Sequence, residues 1–174
     1  DNVRFYTFGG TQHGPSGYPP GKGNGVHLQN PANYKPFLRA LLLALDQWVK
    51  DDIAPPPSVY PRIAEGTLVA PTAAATSFPA IPNLSFPLVI HAPLWLDWGP
   101  RWYTERIIDQ QPPRVLGTYT VLVPRCGPDG NELGCLSPPE VAVPVGTYTG
   151  WNIRTSDAGA PGELVSLTGS FIPF

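Results

Sequence analysis

Apolar residues recur at three- and four-residue steps over one stretch of the chain, and this pattern predicts its longest helix. The predicted helix takes Asn33 as its N-cap, carries Pro36 in its first turn and ends near Lys50. Because an isolated helix of this length is marginal in water, we expect its apolar side to dock against a sheet. That side forms one broad stripe: Tyr34, Phe37, Leu38, Leu41, Leu42, Leu45, Trp48 and Val49.

A second pattern, at residues 3–8 (VRFYTF), predicts a buried strand, because the run is rich in aromatic and β-branched residues. It leads into a glycine-punctuated turn, GGTQHG, that contains His13. Catalytic side chains commonly lie in a loop that follows a strand. Spacing alone nevertheless favours an ordinary histidine, hydrogen-bonded in a strand-to-helix loop.

Beyond the helix, short apolar pieces alternate with proline and alanine over residues 58–93, which indicates irregular arms or edge strands. Residues 115–123 and 140–145 are strand-like and flank the segment CGPDGNELGC, whose centre is a strong turn signal. We therefore predict two paired strands joined by a hairpin. Cys126 and Cys135 end this segment and predict a hairpin disulfide, with two unpaired core thiols as the alternative. A disulfide would place the protein in an oxidising compartment, periplasmic or secreted.

Composition narrows the classes of function. The 174 residues are 42% hydrophobic, which is typical of a folded domain, and the 24 prolines and 18 glycines predict many loops. A net charge of −2 without any run of Lys or Arg argues against a nucleic-acid partner. No apolar segment is long enough for a membrane span. The segment GKGNG lacks the Gly-Lys-Ser/Thr ending of a phosphate-binding loop, and we predict neither a cofactor nor a metal site.

Several longer blocks together resemble a bacterial family of large α/β-hydrolase-domain proteins, over essentially the whole chain. These blocks include VRFYTFGGTQHG, NPANYKPFLRALLLALDQWV, LDWGPR, PEVAVPVGTYTGWNIR and LTGSFIPF. The resemblance implies an α/β fold, of which this chain is the C-terminal part. Residues 1–54 would then supply the last core strand, the His loop with His13 as triad histidine, and the closing helix. Residues 55–174 would form a proline-rich arm and a β-rich extension packed on that core.

The same resemblance implies a serine hydrolase that cleaves small carboxylic esters and needs no cofactor. One departure is that no serine of this chain stands in a G-x-S-x-G elbow, so we expect the nucleophile and the acid on a second polypeptide segment. Another is the cysteine pair, which the family lacks at these positions and which supports a disulfide added in this member. The alternatives are a non-catalytic β-rich module that binds carbohydrate or protein through exposed aromatic rings, and a degenerate, structural hydrolase piece.

Overall fold

Loops carry most of the chain, as the proline and glycine content predicts. The structure is a computed structural model that describes residues 2–174. Its helices are α1 (Lys35–Asp51), α2 (Ala73–Thr76), α3 (Trp102–Glu105) and α4 (Pro139–Ala142), with 3₁₀ turns at Ile63–Glu65 and Ser156–Ala158. Its strands are β1 (Leu28–Gln29), β2 (Leu68–Val69), β3 (Leu94–Asp97), β4 (Arg114–Thr118), β5 (Val123–Pro124), β6 (Gly146–Tyr148) and β7 (Ser170–Pro173).

The strands form three small sheets, and every strand pair in them is antiparallel. The largest has the order β1-β7-β6, while β2 pairs with β5 and β3 pairs with β4. In the three-stranded sheet, Phe171 lies opposite Leu28 on one side and Tyr148 on the other. The ring of Tyr148 stacks on that of Phe171 at 4.9 Å between centroids, and both pack with buried Ala32 and Val141. This sheet therefore covers the small apolar core.

Residues 3–8 are extended, but they do not form the predicted buried strand. Single parallel bridges join Tyr6 to Val59 and Phe8 to Leu136, and no longer ladder forms among the described residues. Val3 and Phe5 remain 47% and 59% exposed. The prediction fails because each neighbour pairs with the segment through a single bridge, which is too short to form a strand ladder and leaves Val3 and Phe5 exposed.

Helix α1 agrees with the prediction in position and differs from it in burial. It begins at Lys35 with Tyr34 as N-cap, so the predicted N-cap is displaced by one residue, and the Asn33 carboxamide oxygen accepts a hydrogen bond from the Lys35 N–H at 3.1 Å. The helix packs on the extended segment rather than on a sheet: the Phe8 ring stacks on those of Tyr34 and Phe37 at 5.7 and 5.8 Å.

The apolar stripe of α1 divides into two halves. Half-buried side chains lie at four positions spaced by one helical turn: Phe37, Leu41, Ala44 and Trp48. We call the exposed positions beside them the bare stripe, which consists of Leu38, Leu42, Leu45 and Val49, 48%, 66%, 49% and 78% exposed. No residue of α1 is fully buried, so the residues described here cover only part of the surface that the sequence marks as apolar.

Two of the predicted strands differ from the structure. Residues 140–145 form most of α4 and the turn after it, because Pro139 occupies the first helical turn, where its fixed φ favours a helix and its missing N–H costs nothing. Strand β5 pairs with β2 rather than with that segment. The hairpin turn itself is confirmed, since the Gly127 N–H donates to the Asn131 carbonyl at 2.8 Å.

Candidate functional site

The turn that carries His13 is built on two glycines whose replacement would be blocked by neighbours. Gly10 has φ of +60°, and a Cβ added there would lie 2.8 Å from a methyl carbon of Val141. A Cβ added at Gly9 would lie 2.8 Å from the Cβ of Cys135. A side chain at either position would force the neighbour to move. The turn therefore sits directly against α4 and the end of the cysteine hairpin.

Gln12, next to His13, ties the turn to distant parts of the chain. Its carboxamide oxygen accepts hydrogen bonds from the Gly169 N–H at 2.7 Å and from the Asn30 N–H at 3.3 Å. Its amide nitrogen donates to the Gly14 carbonyl at 2.6 Å. Both ends of the carboxamide are engaged, so Gln12 stabilises the loop.

The buried side chain of Asn30 holds the same turn through hydrogen bonds. Its amide nitrogen donates to the carbonyls of Gly10 at 2.8 Å and Thr149 at 2.9 Å, and its oxygen accepts from the Ala32 N–H at 2.8 Å. The hydroxyl of Tyr34 also donates to the carbonyl of His13. The backbone around His13 is consequently tethered both to the sheet and to the start of α1.

The His13 side chain itself is exposed, and its imidazole makes no hydrogen bond with any residue in the range 2–174. Ser16, the serine closest in sequence, donates to the carbonyls of Gly17 and Gln29 at 3.2 and 3.3 Å. Within the described chain neither a serine nor a carboxylate is paired with His13. The structure thus presents a free imidazole on a fixed backbone.

Glu132 contacts the turn through Gly10, and the sequence did not indicate it as a residue of the site. One of its carboxylate oxygens accepts a hydrogen bond from the Gly10 N–H at 2.9 Å. Burial raises the pKa of this carboxyl, and the hydrogen bond from Gly10 opposes that shift in part. The position of Glu132 follows from the hairpin, where it forms an antiparallel bridge with Cys126.

The predicted disulfide is absent, and both cysteines are free thiols, which corrects that prediction in favour of its alternative. The reason lies in the hairpin register: Cys126 bridges to Glu132, and Cys135 lies beyond that bridge, beside Gly9. Burial is the main cause that raises the pKa of each thiol to about 12, and the neighbouring Glu132 adds to the shift. A periplasmic or secreted location therefore stays a prediction without support from a disulfide.

The family model described as alpha/beta hydrolase domain matches residues 1–174. The chain belongs to the alpha/beta hydrolase domain family. This confirms the resemblance found in the sequence and indicates a hydrolase in general terms. Neither the curated proteins nor the solved structures include a significant match to this alpha/beta hydrolase domain chain.

Among residues 2–174, no three His, Cys, Asp or Glu side chains are grouped so that they could hold a metal ion. None of the helices in the described part of the chain has the length and apolar character needed to cross a bilayer.

Proposed function

We propose that this chain contributes the triad histidine, His13, to a serine hydrolase that cleaves small carboxylic esters. The nucleophilic serine and the acid would lie on a second polypeptide segment. The observation that carries the proposal is the exposed imidazole of His13, without a partner among residues 2–174, on a turn whose backbone is fixed by Gln12 and Asn30. Membership of the alpha/beta hydrolase domain family supports a hydrolytic reaction.

In this mechanism the imidazole of His13 accepts the proton of the serine hydroxyl while that oxygen attacks the acyl carbon of the ester. The resulting imidazolium returns the proton to the leaving alcohol, and the cycle repeats with water to release the acid. A carboxylate of the second segment would hold the other ring nitrogen and fix the tautomer. The tethered backbone suits this role, because the ring can meet both partners without the turn moving.

The bare stripe of α1 supports the presence of a second segment. Leu38, Leu42, Leu45 and Val49 lie on neighbouring turns of one face, and each is at least 48% exposed. Contiguous apolar patches of this kind mark interaction surfaces in soluble proteins. Val3 and Phe5 add exposed apolar surface at the extended segment. The rest of a hydrolase sheet, packed against residues 3–8 and α1, would cover both surfaces.

The proposal includes the division into a core part, residues 1–54, and a β-rich extension, residues 55–174. The two parts share the three-stranded sheet, since β1 belongs to the first and pairs with β7 of the second. The extension also holds the His13 turn, because Gly169 donates to Gln12 and Glu132 accepts from Gly10. In this view the extension braces the histidine loop.

The rival function, a non-catalytic module that binds carbohydrate or protein, has the exposed aromatic rings in its favour. Tyr18, Tyr103 and Tyr119 are 87%, 69% and 56% exposed. Rings of this kind supply contact area in recognition surfaces. A binding module would use these rings and would not require His13.

Labelling with a fluorophosphonate, which reacts with activated serines, tests the proposal. We expect the complete assembly to be labelled on a serine outside this chain, as mapped by peptide mass spectrometry. The isolated chain should stay unlabelled, and His13→Ala in the assembly should abolish labelling. His27→Gln is the matched control, because half-buried His27 lies outside the turn. Labelling that survives His13→Ala with the fold intact would refute the proposal, and so would a labelled serine within this chain.

A further inference from the structure

A cavity of about 250 Å³, partly open to solvent, lies next to the His13 turn, on the far side of the Glu132 carboxyl group. Most of its wall is apolar. Three aromatic rings form one side, with centroid separations of 5.4 Å for Phe78–Phe86, 5.6 Å for Phe78–Trp151 and 5.7 Å for Phe86–Trp151. Val121 and Leu164 contribute aliphatic surface. Since the rings pack on one another, this wall is formed before any ligand binds.

The polar side chains that line this cavity include Thr76, His91, Cys126 and Glu132. Of their side-chain oxygens, only one of the Glu132 carboxyl group has no hydrogen-bond partner among residues 2–174. One oxygen of its carboxyl accepts from Gly10, whereas the other makes no hydrogen bond among residues 2–174. The Thr76 hydroxyl, by contrast, donates to the Thr72 carbonyl at 2.9 Å. No ion pair joins Glu132 to a cation within the described chain. Burial raises the pKa of this carboxyl, which favours the protonated form, and a protonated carboxyl can donate a hydrogen bond.

We propose that this cavity binds a small neutral molecule with an apolar ring and one carbonyl group. The ring would lie against Phe78, Phe86 and Trp151, and the carbonyl oxygen would accept a hydrogen bond from the free side of the Glu132 carboxyl. A dry cavity of about 150 Å³ suffices for benzene, so about 250 Å³ admits a substituted single ring. A carboxylate ligand is disfavoured because no Lys or Arg among residues 2–174 lines the cavity to pair with its charge. This inference does not depend on the catalytic role of His13.

Fluorine NMR titration of the folded protein with 4′-fluoroacetophenone tests the proposal. The matched probe is 4-fluoro-α-methylstyrene, in which a methylene group replaces the carbonyl oxygen and the shape is preserved. We expect saturable binding of the ketone and about tenfold weaker binding of the alkene, as expected for the loss of one hydrogen bond. This comparison uses the unmodified protein and therefore needs no variant to fold.

Variants then locate the binding site. Val121→Trp should fill the cavity and abolish binding of both probes, whereas Val115→Trp, at an exposed position of β4, should leave both unchanged. Glu132→Gln should retain the preference for the ketone, because the amide oxygen can still accept from Gly10 while its N–H₂ donates to the ligand. Glu132→Leu should bind ketone and alkene equally if it folds.

Three results would overturn the proposal. The first is the absence of saturable ketone binding up to the solubility limit. The second is equal affinity for ketone and alkene in the unmodified protein. The third is tighter binding of 4-fluorophenyltrimethylammonium than of the ketone, since that would mean that three rings and an ionised Glu132 form a cation site instead.

Discussion

Replacement of Asn30 by alanine tests whether buried polar side chains hold the His13 turn in place. Asn30 is 0% exposed, and its carboxamide makes three hydrogen bonds, to Gly10, Thr149 and Ala32. The substitution leaves the Gly10 carbonyl and the Ala32 N–H without a partner, whereas the Thr149 carbonyl still accepts from the Ser170 N–H at 3.2 Å. Because the Gly10 carbonyl is one of the two groups left unpaired, the loss acts directly on the turn that carries His13.

The magnitude follows from the number of groups left unpaired. A buried polar group without a partner costs about 1–3 kcal/mol. Two such groups at the low end of this range give an expected loss of about 2 kcal/mol in the free energy of unfolding. Water that enters the vacated space can restore part of the hydrogen bonding, which is why the low end applies.

Urea unfolding followed by circular dichroism measures this loss, provided that the slope of the transition stays constant. Asn30→Asp distinguishes loss of side-chain volume from loss of hydrogen bonds. It keeps the size of the side chain but removes the N–H groups that donate to the carbonyls of Gly10 and Thr149. Asn24→Ala is the control, since Asn24 is exposed and should change stability by less than about 0.5 kcal/mol. A loss below about 1 kcal/mol for Asn30→Ala, or an equal loss for Asn24→Ala, would refute the reasoning.

Three further predictions concern α1, the cysteines and Glu132. Leu41→Ala should destabilise the chain more than Leu45→Ala, because Leu41 is half-buried whereas Leu45 is 49% exposed. In urea unfolding, Leu45→Ala should lower the free energy of unfolding by less than about 1 kcal/mol, and equal losses for the two variants would contradict the observed division of the stripe. The thiols of Cys126 and Cys135 should alkylate slowly at pH 8 in the folded protein and rapidly after unfolding, because a pKa of about 12 leaves little thiolate; a non-reduced mass showing a bond would contradict this. Glu132→Gln should become more stable relative to the unmodified protein as the pH rises from 4 to 7. The reason is that a carboxyl whose pKa is raised on folding loses its contribution to stability as the pH rises above its unfolded pKa of about 4.3. The same difference in the free energy of unfolding between the two proteins at pH 4 and at pH 7 would contradict this prediction.

The position of α1 could be predicted because a periodic apolar pattern is a local signal. The predicted ends, Asn33 and Lys50, lie close to the observed N-cap Tyr34 and last residue Asp51. Which side of the stripe is covered could not be predicted, because burial depends on what packs against the helix. Phe37 meets Phe8, whereas Leu42 meets no such neighbour and remains 66% exposed.

The turn of the candidate site could be predicted, whereas its supports could not. Gly9, Gly10 and His13 stand together in the sequence and mark a tight turn. Gln12, however, bonds to Gly169, and Gly10 bonds to Glu132, 157 and 122 positions apart respectively. No local pattern encodes contacts over such separations, because they arise from the way the loops fold over one another.

Strand prediction failed where tertiary context competes with composition. The residues 140–145 are mostly β-branched or small, and alternation suggests a strand. Pro139 instead starts the short helix α4, which places Val141 in the core against Gly10. The buried contact of Val141 thus outweighs the intrinsic preference of the segment.

The turnover of a simple aryl ester by the complete assembly, with and without His13, tests the central claim most directly. We predict that His13→Ala lowers kcat/KM for 4-nitrophenyl acetate by at least about 10³-fold, with an unchanged circular dichroism spectrum. His27→Gln should stay within about threefold of the unmodified assembly. If the His13→Ala assembly, fully folded, kept a kcat/KM within about threefold of the unmodified value, His13 would not be the general base and the proposed function would be wrong.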